Sequence, residues 1–207
     1  MVIVKALLFL GVVSSNVLAI EAPIPGYDVE TLNRNVHLDS RDGGDSPITL
    51  SGTIEEGTSK AKKLNSRWAR NLEMRKPLLD DETRRSTIIR EWPSKVECID
   101  IVGGPWYRTD LRFIQDGLHY LKKHSGKPKL GPGPDKCDRV SCSYHSSIWW
   151  CNKKSEPLEL SSFKEMVRIA GTIVEDCVGN GEDAGLVGGE AFMKDWSIII
   201  RQDNENC

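Results

Sequence analysis

The chain has 207 residues and a formal net charge of −2, with 39% hydrophobic and 28% charged side chains. That length suits one domain plus an extension, and the balanced charge argues against a polyanion partner, so no nucleic acid is expected. All six cysteines, Cys98, Cys137, Cys142, Cys151, Cys177 and Cys207, lie in the C-terminal half.

Residues 1–19 read as a secretory signal peptide. Lys5 supplies the positive start, residues 6–13 an apolar run, and Val17 and Ala19 a small-residue cleavage signal, so cutting is expected after Ala19. The run is too short to span a bilayer, and no later segment approaches about 20 apolar residues. The mature protein is therefore expected to be secreted and extracellular. In an oxidising compartment an even cysteine count favours disulfides, while no paired C-x-x-C and no histidine pair at ligand spacing is present. Three intramolecular bridges are expected, with no metal and no cofactor. Six cysteines allow about 15 connectivities, and the spacing does not choose among them.

Residues 20–90 carry 12 acidic and 12 basic side chains, no cysteine and few aromatics. Taken alone, such a segment buries too little apolar surface to offset its ordering entropy, which predicts a largely disordered extension or pro-region. Within it, Ala61, Leu64, Trp68, Leu72 and Arg75 recur at helical spacing among lysines and arginines, predicting a short basic amphipathic helix over residues 59–76. Arg84 and Arg85 then form a dibasic pair in a polar stretch, similar to the cut sites of furin-like or kexin-like proteases.

Residues 91–207 hold 18 acidic and 15 basic side chains, all six cysteines and five of the six tryptophans. Residues 95–102 alternate and are rich in β-branched side chains, predicting a strand that Gly103, Gly104 and Pro105 end. Thr109 or Asp110 can cap a helix whose apolar face is Leu111, Ile114, Leu118 and Leu121, stopped by Gly126 and Pro128. Residues 138–144 and 148–152 read as two strands joined through His145, Ser146 and Ser147 as a hairpin, without the Asn-Gly signature of the commonest turns. A second helix runs from an expected capping box of Ser162 and Glu165 along Phe163, Met166, Val167, Ala170, Ile173, Val174 and Cys177 to a stop at Gly179 and Asn180. After a Gly-rich connection over residues 181–189, residues 195–201 predict a central strand, buried on both faces. The series β-α-β-β-α-β is the split-βαβ, ferredoxin-like pattern: an α+β, two-layer α/β sandwich with two helices on one face of an antiparallel sheet.

The run from Cys137 through Val140, Cys142, Tyr144, Ile148, Trp149, Trp150 and Cys151 to Asn152, followed by a helix ending at Cys177 and a strand leading to Cys207, resembles fungal small secreted proteins. It is similar to cysteine-rich effectors of the extracellular-protein-2 type and to the α/β-sandwich killer toxins of smut fungi. The likeness covers about residues 95–207. It implies export by a fungus, a disulfide-bonded sandwich, and action on another organism by binding rather than catalysis.

Catalysis by an acid–base hydrolase or secreted ribonuclease needs a histidine or carboxylate pair converging on a cleft. His119 and His124 fit a helix surface, leaving His145, in the hairpin connection, as the histidine of interest beside acids such as Glu97 and Asp100. No nucleophile-elbow, zinc-protease or phosphate-loop motif occurs. Lys122, Lys123, Lys127 and Lys129 form a basic stretch suited to an anionic headgroup, polysaccharide or channel mouth, or simply to solvation. Trp149 and Trp150 point to opposite faces of one strand, so one is a candidate exposed anchor, with burial of both as the alternative. The expected function is a non-enzymatic effector or killer-toxin-like protein binding an extracellular protein, membrane or cell-wall target. The alternatives are a secreted hydrolase or ribonuclease with a degenerate site, and a structural cell-surface protein.

Overall fold

The strongly β-prone runs of the C-terminal half pair into one sheet. The computed structural model of the protein describes residues 20–31, 33–36, 48–66, 70, 91–99 and 106–203. The leader with Ala19, the dibasic Arg84 and Arg85, Trp68, Leu72, Arg75 and Cys207 lie outside the described residues. The strands of the sheet are β1 (Asp28–Val29), β4 (Lys95–Cys98), β7 (Lys136–Ser143), β8 (Ser146–Asn152), β11 (Gly189–Phe192) and β12 (Trp196–Gln202). They lie in the order β1-β7-β8-β12-β11-β4. The β1–β7 pairing is parallel and the others are antiparallel.

Two helices, α2 (Leu111–Lys123) and α3 (Phe163–Cys177), pack side by side on one face of this sheet. The helical period of their apolar residues sets this: Ile114 and Leu121 of α2, and Met166, Ile169 and Ile173 of α3, are fully buried. From the sheet they meet Val140, Ile148, Trp150, Ile198 and Ile200. Gly117 is what lets α2 approach β7, since a Cβ there would stand 2.3 Å from Ser141 Oγ. The protein is thus a mixed α+β structure, and the expected central strand is β12, which pairs along its length with β8.

Several local expectations are corrected. Over residues 91–203 the main-sheet strands and the two helices run β-α-β-β-α-β-β, because the stretch taken for a Gly-rich connection contains a 3-10 turn (Gly181–Asp183), β10 (Leu186–Val187), which pairs with β5 (Thr109–Asp110), and the start of β11. Gly189 sits in β11 for a steric reason: its Cβ would lie 2.6 Å from Glu97 O and 3.1 Å from Cys177 Sγ, beside the Cys98–Cys177 disulfide. Strand β4 is shorter than residues 95–102, ending at Cys98, although Ile99 N still donates to Gly188 O (3.0 Å). Ser162 is the N-cap of α3 but makes no side-chain cap bond; Glu165 Oε1 instead accepts from Ser161 N (2.9 Å) and Ser161 Oγ. Asp110 is the cap of α2, accepting from Arg112 N at 2.9 Å.

The expectation of a largely disordered extension over residues 20–90 does not hold for its described part. Strand β1 adds to the edge of β7, β2 (Asn33–Val36) and β3 (Ile48–Ser51) form an antiparallel ladder, and α1 (Ile54–Leu64) packs on β7 and α2. Helix α1 overlaps the expected amphipathic helix only over residues 59–64; it begins at residue 54 and ends at Leu64, and residues 67–69 and 71–76 lie outside the described residues. Thr53 and Glu56 close a reciprocal capping box at its start, with Glu56 N to Thr53 Oγ1 at 3.3 Å and Thr53 N to Glu56 Oε2 at 3.1 Å. Its buried face is Ile54, Gly57 and Ala61, while Leu64 is exposed. Ile54 enters the main core, and Glu55 binds the β7 edge, accepting from Ser141 Oγ (2.5 Å) and Cys142 N (3.1 Å). Through Ile54 and Glu55 the segment joins the cysteine-bearing part.

Two disulfides lie among the described residues, Cys98–Cys177 and Cys137–Cys151, and Cys142 is also disulfide-bonded to a partner outside them. They close loops of 79 and 14 residues, worth about 4.5 and about 3 kcal/mol in the chain-entropy account. Cys207 is the one cysteine of the sequence left for Cys142. Non-reducing peptide mapping is expected to recover a Cys142–Cys207 cross-link and no free thiol; two alkylatable cysteines would contradict it. Replacing Ile54 by Ala is expected to cost about 2–5 kcal/mol in urea unfolding, as for other fully buried isoleucines. A cost below about 0.5 kcal/mol would mean that α1 is not part of the core.

Candidate functional site

Strands β7 and β8 are two residues apart, so the turn between them is Tyr144 and His145 alone, with Ser143 opposite Ser146. The expected connection through Ser146 and Ser147 is corrected, since both belong to β8. Tyr144 and His145 have φ of 47° and 60°, the left-handed pair required by a two-residue hairpin turn of the primed type. That conformation normally selects Asn and Gly, and costs about 1–2 kcal/mol for a residue with a Cβ.

What holds the turn is a set of bonds from other elements. His145 Nδ1 lies 3.1 Å from Asp203 O, and Asp203 N donates to His145 O at 2.8 Å. Thr109 Oγ1 donates to His145 O at 3.3 Å and shares a 2.6 Å contact with Ser146 Oγ. Asp203 is itself fixed from the sheet: its carboxylate accepts from Arg139 (3.3 Å) and pairs with Arg201 (4.0 Å), all three being largely buried. Both guanidinium groups lie 5.8 Å from the Trp149 ring, whose Nε1 donates to Ser147 Oγ (3.0 Å).

The outer side of the turn is aromatic. Tyr144 is 71% exposed, yet its ring stacks on Phe113 of α2, with centroids 4.4 Å apart and planes at 22°. Arg112 lies over the Phe113 ring at 5.6 Å and forms a two-pronged pair with Asp110, which holds the Asp110 carboxyl below its usual range. Tyr107, 65% exposed, sits at the same end of the sheet: its carbonyl accepts from Gln202 N (2.8 Å), and Gln202 pairs with Ser146. The result is a rigid aromatic knob on an immobilised turn, a low-entropy means of presenting contact area.

The other candidate residues lie in different settings. Trp149 and Trp150 are both completely buried, so neither is an exposed anchor. Trp150 lies under the helices, and Trp149 lies on the opposite face under Ile24, Tyr27, Val29 and Trp106. Lys127 and Lys129 both pair with Glu159, at 3.7 and 2.5 Å, and the Lys129 hydrogen bond leads in holding the Glu159 carboxyl below its usual range. These pairs join β6 (Lys129–Leu130) to β9 (Leu158–Glu159), so half of the basic stretch is spent on a local ladder. Lys122 and Lys123 lie half-buried in the last turn of α2, where positive charge suits the helix dipole. His119 is exposed, and His124 Nδ1 lies 2.9 Å from Tyr120 O.

Sequence reasoning named His145 and passed over Tyr144, Phe113 and Arg112. Among the described residues no group of three or more His, Cys, Asp and Glu is placed to hold a metal ion, and no helix is long and apolar enough to cross a membrane. No protein-family model, curated protein or solved structure matches the chain.

Asp203 is the test of how the turn is held. Asp203→Ala leaves the buried Arg139 charge without this carboxylate and is expected to destabilise by about 3–5 kcal/mol in urea unfolding. Both variants keep the backbone bonds to His145, but Asp203→Asn retains a side-chain oxygen that can accept from Arg139 and is expected to cost less. A cost below about 0.5 kcal/mol for Asp203→Ala would mean that the carboxylate contributes nothing.

Proposed function

We propose that the protein is a secreted, non-enzymatic binder of an extracellular target, of the effector or killer-toxin-like kind, and that the Tyr144 knob makes the contact. The observation that carries this reading is the exposed Tyr144 ring, stacked on Phe113 and carried by a turn in an otherwise unfavourable conformation. Left-handed backbone at a residue with a bulky side chain persists where surrounding structure over-determines it, and such positions cluster at functional sites. Rigid exposed aromatics dominate binding energetics. In this reading His145 serves the turn: its Nδ1 is engaged with Asp203 O and its backbone is fixed on both sides, which holds the hairpin that carries Tyr144. Disulfide-bonded cysteines suit an oxidising, extracellular compartment. The killer-toxin and effector likeness rests on the spacing around Cys137, Cys142 and Cys151 together with the α+β architecture.

The basic stretch takes a smaller part in this reading than composition suggested, since Lys127 and Lys129 are paired with Glu159. The hydrolase or ribonuclease reading remains the rival to be tested against.

Tyr144→Asn separates function from folding. Asn tolerates the left-handed region better than Tyr, so the melting temperature is expected to hold within a few degrees, while retention of the protein on extracellular polysaccharide or secreted-protein fractions from a target organism falls about ten-fold or more. His145→Ala is expected to keep that retention, at a stability cost of about 0.5–1.5 kcal/mol for the lost hydrogen bond. Unchanged retention by Tyr144→Asn would overturn the knob. A hydrolytic activity on polysaccharide, ester or RNA that vanishes in a folded His145→Ala would overturn the binding reading in favour of an enzyme.

A further inference from the structure

The sheet face opposite the helices carries Cys137, Trp149, Cys151 and Ile199, all fully buried. Ile24, Tyr27 and Val29 pack on them from a strap, residues 22–30, that turns between Ile24 and Tyr27 (Tyr27 N to Ile24 O, 3.1 Å) and then runs along the β7 edge, with Trp106 beside it. Pro23 is buried, but the rest of its side chains are covered less: Ile24, Tyr27 and Val29 are half-buried, and Asp28 is exposed. The attachment is strand-like. Asp28 N donates to Asp135 O (2.7 Å) and Glu30 N to Cys137 O (2.8 Å), in parallel register with β7. Two carboxylates add charge recognition: Asp28 pairs with Lys136 (2.9 Å), and Glu30 Oε2 accepts from Gly131 N (2.9 Å). Trp106 Nε1 donates to Pro23 O (2.5 Å) at the other end.

No cysteine lies before residue 98, so this strap is held without covalent links, unlike β4, β7, β8 and α3, each of which carries a bridged cysteine. We propose that the β7 edge and Trp149 face form a peptide-binding site whose cis occupant is the strap, and that it accepts in trans a partner segment of the same chemistry, a turn followed by a short strand. That segment runs parallel to β7. It presents an aliphatic, an aromatic and a β-branched side chain where Ile24, Tyr27 and Val29 stand, with carboxylates where Asp28 and Glu30 stand. Edge strands are templates for such strand addition, with backbone bonds giving affinity and alternate side chains giving selectivity. A tethered occupant acts at an effective concentration in the millimolar range, so the site is closed to competitors until the strap is released. This surface is separate from the Tyr144 knob, and its test does not depend on that reading.

The experiment uses the full chain with a site-specific protease sequence inserted at position 32, and a fluorescent peptide of residues 20–31. Before cleavage the peptide is expected not to bind. After cleavage it binds saturably, about ten-fold or more tighter than to the uncut chain, while the circular dichroism spectrum is retained. A peptide carrying Tyr27→Ala and Val29→Asp does not bind. A cleaved chain that unfolds or aggregates would overturn the proposal, because the strap would then be an integral part of the core. So would a folded, cleaved chain that takes up no peptide, or one that binds both peptides alike.

Discussion

The buried carboxylate of Asp203 ties together the parts of the chain on which the proposed site depends. Through Arg139 it reaches β7 and through Arg201 it reaches β12, while the backbone amide and carbonyl of the same residue grip His145 in the turn. Burying this charge is costly unless it is paired and hydrogen-bonded, so removing any one partner penalises the rest. That coupling makes it physically reasonable for Tyr144 and His145 to occupy left-handed backbone without a glycine. Thr109 joins α2 to the same knot from its N-terminal side, so Phe113 on α2 and Tyr144 on the turn are held in register for their stack. Fold and proposed site are therefore one construction.

The molecule grades from fixed to releasable along its sequence. Cystines pin β4 to α3 and β7 to β8, and the helix-side core is closed by aliphatic packing. The cysteine-free segment meets the same sheet by other means: Ile54 inserts into the main core, Glu55 satisfies an edge amide of β7, and the strap over Trp149 rests on backbone ladders and half-buried side chains. Free energies of local opening follow such differences in burial. Parts that can leave without breaking the core are where partner exchange is built most readily.

The two long helices are legible because their apolar period runs for three or more turns, and β8 and β12 because each contains a short apolar run, residues 148–151 and 198–200. The unread features depend on pairing between distant residues. The ordering of residues 20–31 was missed because its entropy cost was weighed against its own apolar content, whereas the compensating surface belongs to Trp149, Cys151 and Ile199. The same omission left Trp149 as a candidate anchor, since nothing in its own strand announces a cover contributed from position 24 onward. Glu159 neutralises Lys127 and Lys129 from a strand 30 residues away. Tyr144 went unread because only the register of β7 on β8 puts it at a two-residue turn, and only the placement of α2 puts Phe113 beneath it. The capping box of Thr53 and Glu56 is a plain T-x-x-E pattern, six residues ahead of residue 59, where the apolar period alone starts the helix.

The central claim is that an immovable turn and a removable strap share one sheet. Amide hydrogen exchange on the full chain tests it most directly. The amides of Asp203 and Cys142 should exchange only with global unfolding, because the turn knot and the Glu55 contact hold them. Those of Asp28 and Glu30 should exchange faster and with little denaturant dependence, as expected for local release of the strap. Exchange of Asp28 and Glu30 at the global rate, or of Asp203 at the fast one, would contradict the account.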